Sequence, residues 1–213
     1  MTRDDAVTLI QSRLGSRFDT RTKTLAELEL RLQQEMLEQQ TFLPWFLFQE
    51  SQIILNLSDP TPEIFNFPEG FLREYSEDVD IPSLWWQDDA GVWKPIPKKL
   101  VMSTYLLESS SGPPLAYSVV GERIRLWPVP DKEYSLRLYY YKAADVLSSN
   151  IENGWLKYAS QLLWGKAGAA LAVNFRDSAA VDYFTRMADM AQQELIRTHI
   201  TRQEANFNAM TEN

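Results

Sequence analysis

The sequence predicts an α+β protein: a helical bundle from the N- and C-terminal helices, with a β-rich insertion in the middle. Three observations carry that prediction. Apolar residues recur every three or four positions near both ends of the chain. Between those stretches the residues are aromatic, β-branched and interrupted by proline. The 213 residues, 45% hydrophobic and 23% charged, are enough to bury a full core without cross-links. The expected organisation is 1–42 and 150–202 as the helical bundle, 43–149 as the β-rich insertion and 203–213 as a flexible C-terminal tail.

Thr2 is placed to cap a first helix carrying Val7, Ile10 and Leu14 on one face, and Gly15 supplies a left-handed stop. Thr22 or Thr24 opens a second helix with Leu25, Leu28, Leu32 and Met36 as its apolar stripe. A stripe one face wide puts this helix on a surface or an interface. Pro44 ends the helical pattern. Ile53, Leu55 and Leu57 alternate with polar neighbours, as in a half-buried strand. A short helix is expected around Pro97–Leu107. Tyr117–Val119 and Arg123–Trp127 read as strands joined at Gly121, and Tyr134–Tyr141 as another. On that last strand Tyr134, Leu136, Leu138 and Tyr140 share one face, and Ser135, Arg137, Tyr139 and Tyr141 the other. From Gly154 to about Asn174 the pattern is helical, with Trp155, Tyr158, Leu162, Ala169 and Val173 near one face. Gly165, Ala167, Gly168, Ala169, Ala170 and Ala172 are small and let a neighbouring backbone approach, which makes this helix the buried centre. Asp177 or Ser178 caps the last helix, whose stripe is Val181, Phe184, Ala188, Ala191 and Leu195.

Composition removes whole classes of function. There is no cysteine and one histidine, which excludes thiolate chemistry and any two-histidine zinc motif. His199, near the end of the last helix, is read as a surface residue complementing the helix C-terminus. No phosphate-binding loop or nucleophile elbow is present, so no catalytic, cofactor or metal residues are expected. The net charge of −8 argues against a general nucleic-acid binder. No run of 18 apolar residues exists to span a membrane, and the polar, acidic N-terminus is unlike a signal peptide, so synthesis in the cytoplasm is expected. Glu77-Asp78 and Asp88-Asp89 are paired carboxylates, but Asp88-Asp89-Ala90-Gly91 is also a good turn. Trp85, Trp86 and Trp93 flank it, either as a sugar-stacking platform or as the packing of a hairpin. Arg123, Arg125 and Arg137 beside Tyr139 and Tyr141 have the composition of a protein–protein interface, or of a solvated face.

Several segments in order carry a resemblance. Leu43-Pro44-Trp45-Phe46-Leu47 is followed by Pro68-Glu69-Gly70-Phe71-Leu72-Arg73. Arg123-Ile124-Arg125-Leu126-Trp127-Pro128-Val129-Pro130 then leads into Tyr134–Tyr141, and Asn153-Gly154-Trp155-Leu156 opens the next long helix. From about residue 5 to 200 this order resembles the head-to-tail adaptor (connector) proteins of tailed bacteriophages, of the tail accessory factor or tubular adaptor type. Leu30-Arg31 departs from it, where a Leu-Asn pair is expected. The resemblance implies a structural virion protein of the neck between capsid and tail, made in the host cytoplasm. It implies a homo-oligomeric ring, usually a dodecamer, bound to the portal protein and leading into a tail or nozzle protein. DNA passes through the lumen as cargo, and no cofactor is implied. Trp45, Arg123, Arg125, Arg137, Tyr139 and Tyr141 are then expected at a subunit or tail interface, and Phe207 and Met210 at the portal. A stopper or tail-completion role in the same neck differs only in partners. The alternative is a glycan-binding or glycan-hydrolysing phage tail-associated protein using Trp85, Trp86, Trp93 and Asp88/Asp89.

Overall fold

The structure, a computed structural model, describes residues 1–15, 17–56, 61–75, 82–100, 111–149 and 152–211, with side chains through Arg202. It is mixed α+β: helices, then antiparallel strands, then helices. The chain divides into two compact units, Met1–Leu47 with Ala143–Asn213, and Phe48–Lys142.

The first unit is helical. Helix α1 (Arg3–Arg13) begins with a capping box, in which Thr2 Oγ1 accepts from the Asp5 N–H and the Asp5 carboxylate accepts from the Thr2 N–H. Val7, Ile10 and Leu14 are buried as expected, and Gly15 has a φ of 73°. Helix α2 (Thr20–Glu38) starts earlier than expected. Asp19, not a threonine, is its cap, accepting from both the N–H and the hydroxyl of Thr22. Its buried face also differs from the expected one. Thr22, Ala26, Leu30, Gln34, Leu37 and Glu38 are buried, whereas Leu28, Leu32 and Met36 are exposed. A 3₁₀ turn (Trp45–Leu47) follows.

The helix expected from Gly154 is broken at Ala159 into α3 (Gly154–Tyr158) and α4 (Ser160–Asn174). Asn153 caps α3. Val173 and Tyr158, expected on the buried face, are exposed, and the core is built instead by Leu163, Trp164, Ala167, Gly168, Leu171 and Ala172. The small residues have the expected use. A Cβ at Gly168 would lie 2.5 Å from the ring of Phe184, so the next helix sits directly against the backbone there. Helix α5 (Ser178–Thr211) starts at Asp177, whose carboxylate accepts from the Ala180 N–H. Phe184, Ala188 and Leu195 of its expected stripe are buried. Its backbone is helical through residue 211, as a helix end reaching into the expected tail segment. Helix α4 packs against α1, α2 and α5.

The second unit is two antiparallel sheets around one core. Strands β1 (Phe48–Ile54), β8 (Ser135–Lys142), β4 (Leu84–Gln87) and β5 (Trp93–Ile96) form one sheet in that order, and β3 (Phe71–Glu74) also pairs with β8. Strands β2 (Ile64–Asn66), β7 (Arg123–Trp127) and β6 (Ala116–Val120) form the other. Leu84, Ile96, Leu136, Leu138 and Tyr140 of the first sheet meet Tyr117, Ile124 and Leu126 of the second. Alternation on β8 is as expected, because residues two apart share a face. Gly121 turns the chain between β6 and β7 with a φ of 61°. Most of the helix expected around Pro97–Leu107 lies outside the described residues, as do Leu57, Glu77 and Asp78. Pro97–Leu100 is not helical, and Lys98 bridges to Tyr117.

Candidate functional site

The face of the larger sheet turned away from the core is built around Arg137. Its direct cross-strand neighbours are Gln52 on β1 and Trp85 on β4. Its guanidinium carbon lies 4.1 Å from the centroid of the Trp93 ring, a stacked cation–π contact. Its Nε is 2.9 Å from Glu50 Oε1, an ion pair without hydrogen-bond alignment, and Nη1 donates to the Tyr139 hydroxyl at 3.3 Å. Arginine stacked on indole and paired with a carboxylate is held rigid at low conformational cost.

Beside it lies an aromatic nest. Tyr139 stacks on Phe48 with centroids 5.8 Å apart, and Phe48 meets Tyr75 edge-on at 4.7 Å. Tyr141 contacts both rings and takes Arg73 over its own at 5.5 Å. Tyr141 is itself buried, so it supports this face more than it presents it. Phe48, Tyr139, Trp85, Trp93 and Arg137 are half-buried. Half-buried aromatics with a rigid arginine are what protein interfaces favour at their centres.

Within the β unit the expected interface residues fall on two faces. Arg123 and Arg125 lie on β7, on the outer face of the smaller sheet, across the core from Arg137. Trp45 belongs to the helical unit, in an aromatic cluster of its own. Its ring stacks with His199 at 6.5 Å, meets Tyr158 at 5.9 Å, and has Arg202 over it at 4.5 Å. His199 is therefore not a surface residue at a helix end. It is buried mid-helix, one turn beyond Leu195 on the same stripe, with Phe42 edge-on to its ring. Phe207 and Met210 lie on α5, and their side chains are outside the described residues.

The glycan arrangement is not supported. Strand alternation sends Trp85 and Trp93 to the outer face and Trp86 to the core face against Tyr134, so the three indoles do not make one platform. Asp88 is a turn residue: its Oδ1 accepts from the N–H groups of Ala90 and Val92, and Lys94 pairs with its Oδ2. The Lys94 hydrogen bond foremost, then the Val92 N–H, holds its carboxyl below the ordinary value, so it is ionised rather than a proton donor. Asp89 pairs with Lys132. Among the described residues no group of His, Asp or Glu is placed to hold a metal ion, and no helix is long and apolar enough to cross a membrane.

One constellation had no sequence signal. Glu38 Oε1 accepts from Trp155 Nε1 at 2.8 Å, the Ala144 N–H at 3.1 Å and Gln34 Nε2 at 3.1 Å. Asn153 Nδ2 donates to Gln34 Oε1 and to the Asp145 carbonyl, both at 2.9 Å. Burial raises the Glu38 pKa above its ordinary value, against the pull of these donors. The network ties the end of α2 to the start of α3, which makes it a structural clamp.

The chain is thus a protein of mixed α+β architecture with a half-buried aromatic face around Arg137. The chain belongs to the SU10 adaptor protein family, whose family model matches residues 1–211. It is a bacteriophage head-to-tail adaptor, a structural component of the virion. No curated protein matches it.

Proposed function

We propose that the chain assembles as a homo-oligomeric ring, most simply a dodecamer, that joins the portal protein to a tail or nozzle protein. DNA passes through the ring as cargo. In this reading the terminal helices form one bundle and the β unit is inserted into it. The single observation that carries the proposal is the family match over nearly the whole chain.

Physical features support it. The net charge of −8 repels phosphates, which favours passage over retention. The Arg137–Trp93–Tyr139 face is a preformed contact surface for a neighbour or the tail. The segment 203–213, with Phe207 and Met210, docks on the portal.

The test is the particle mass of the chain alone and mixed with its portal protein. A shift to portal plus several copies supports the ring and gives its number. A chain that never joins the portal refutes the reading. A chain truncated after Arg202 should keep its melting temperature and lose portal binding; retained binding would refute the role of the last segment.

A further inference from the structure

Strand β1 is an outer strand of the larger sheet. It pairs with β8 along its whole length and, among the described residues, with no other strand. The ladder shows which of its backbone groups are used. The Leu55 N–H donates to the Tyr134 carbonyl at 3.0 Å, in the same register as β1 on β8. Hydrogen-bonded and non-bonded rungs alternate in an antiparallel pair, so Gln49, Ser51 and Ile53 bond to β8. The N–H and C=O groups of Phe48, Glu50, Gln52 and Ile54 therefore point away from β8, along the edge. That edge is open: Gln49, Glu50, Gln52 and Ile54 are exposed, Ile54 at 74%.

The opposite edge is closed to the same chemistry. The Asp88 N–H donates to the Val92 carbonyl in the register of β4 on β5, so the same alternation turns the position of Pro95 outward, where it has no N–H to offer. Proline in a strand of four residues blunts that edge. Strand β1 has seven residues and no proline. Its one charged side chain, Glu50, is already paired with Arg137.

An edge of this kind is completed by an extended segment, and the sequence of β1 is complementary to itself. Laid antiparallel about Ser51, every residue finds a partner in a second strand. Phe48 falls beside Ile54, Gln49 beside Ile53, Glu50 beside Gln52, and Ser51 beside Ser51. The outward groups of Phe48, Glu50, Gln52 and Ile54 then meet rung for rung, giving about eight backbone hydrogen bonds. An apolar pair and a carboxylate–amide pair are favourable neighbours across strands. Sliding the register by two residues loses this: one direction opposes Glu50 to Glu50, the other sets Glu50 beside Ile54.

We propose that β1 pairs antiparallel with β1 of a second copy of this chain, about a two-fold axis at Ser51. The contact is isologous, so it uses the same edge on both copies and stops at two. It cannot propagate round a ring. It is a state of the free chain, independent of the ring reading, and it covers the edge on which other extended segments would add. At about 3.4 Å per residue the strand spans about 24 Å, far less than a standard interface needs, so the pair forms at high concentration and parts on dilution.

The chain has no cysteine, so introduced thiols report without background. Ser51 meets its counterpart on a non-bonded rung, where Cα atoms lie about 4.5 Å apart, within the span of a disulfide. The two copies of Gln49 lie about 14 Å apart in the same pair. Under mild oxidation at one high concentration, Ser51→Cys should therefore form covalent dimers about tenfold faster than Gln49→Cys. Adding Gln52→Pro removes an N–H that β8 does not use and should lower the Ser51→Cys yield about tenfold. Adding Gln52→Glu instead, which faces Glu50 of the second copy, should also lower it and leaves the backbone untouched. Unchanged circular dichroism establishes that each variant is folded, and if the proline variant unfolds the glutamate variant carries the test. Ser51→Cys linking no faster than Gln49→Cys overturns the proposal, as does a yield that neither folded Gln52 variant lowers.

Discussion

Replacing Glu38 by leucine removes the acceptor on which three donors converge. Gln34 keeps other partners, since its Nε2 is 3.3 Å from the Ala144 carbonyl and its Oε1 takes the Asn153 amide. Trp155 Nε1–H and the Ala144 N–H lose their acceptor, and Trp155 is 1% exposed, so water does not replace it. Each orphaned buried donor costs about 1–3 kcal/mol. The variant also escapes the cost of burying a carboxylate, so the expected net loss is about 2–4 kcal/mol. Glu38→Gln keeps an accepting oxygen without the charge and should stay within about 1 kcal/mol of the native chain at pH 7. The pH dependence has a definite sign. Burial raises the folded-state pKa of Glu38 above its unfolded value. Its contribution is therefore fully present below the unfolded value and lost as pH rises through the folded one. Urea unfolding followed by circular dichroism, at pH 7 and near pH 5, measures both effects. The native chain should gain stability relative to Glu38→Gln on acidification. A leucine variant as stable as the native chain, or a gap to Glu38→Gln that ignores pH, would refute the clamp.

Gly168→Ala should lower stability by about 1–3 kcal/mol, read as a melting temperature several degrees lower, because Phe184 is fully buried and has no room to yield. Asp19→Ala should destabilise the start of α2 at pH 7, and Asp19→Asn should do so less, as compared by thermal melts. The Thr22 hydroxyl and then its N–H hold the Asp19 pKa below 3.8, so the native chain should lose its advantage over Asp19→Asn as pH falls through that lowered value. Arg137→Ala should change the emission of Trp93 and weaken partner binding, and Arg137→Lys should not restore either, because a lysine lacks the planar stack. Native-like emission in the alanine variant would show that the stack does not persist in solution.

The strands were legible because a period of two is decided locally: Leu136, Leu138 and Tyr140 against Arg137 and Tyr139 could be assigned from alternation alone. Caps were legible for the same reason at Thr2 and Asp177, where a short polar side chain precedes an apolar period. The break at Ala159, where φ is −138°, was not, since alanine is a strong helix former and carries no stop signal. Nor was the separation of Arg123 and Arg125 from Arg137, because sequence gives the face of a strand but not which of two sheets it joins. His199 was misread because a helix end was assumed near it, whereas α5 continues and the stripe from Leu195 carries it inward. Glu38 and Gln34 look like ordinary surface positions, and only contacts more than 100 residues away reveal their burial.

Helix α2 is the most instructive misassignment. Two apolar rows compete on it, Leu28, Leu32 and Met36 against Ala26, Leu30 and Leu37. A periodicity argument selects the row with the larger side chains, yet the smaller-volume row is the one that packs within the unit. Ala26 and the buried polar residues Thr22, Gln34 and Glu38 share that inner side with Leu30 and Leu37, while Leu28, Leu32 and Met36 stand outside. In the isolated chain Leu28, Leu32 and Met36 stay largely in contact with water and add no burial. The distribution makes sense if stabilisation from the outer row is drawn from a neighbour.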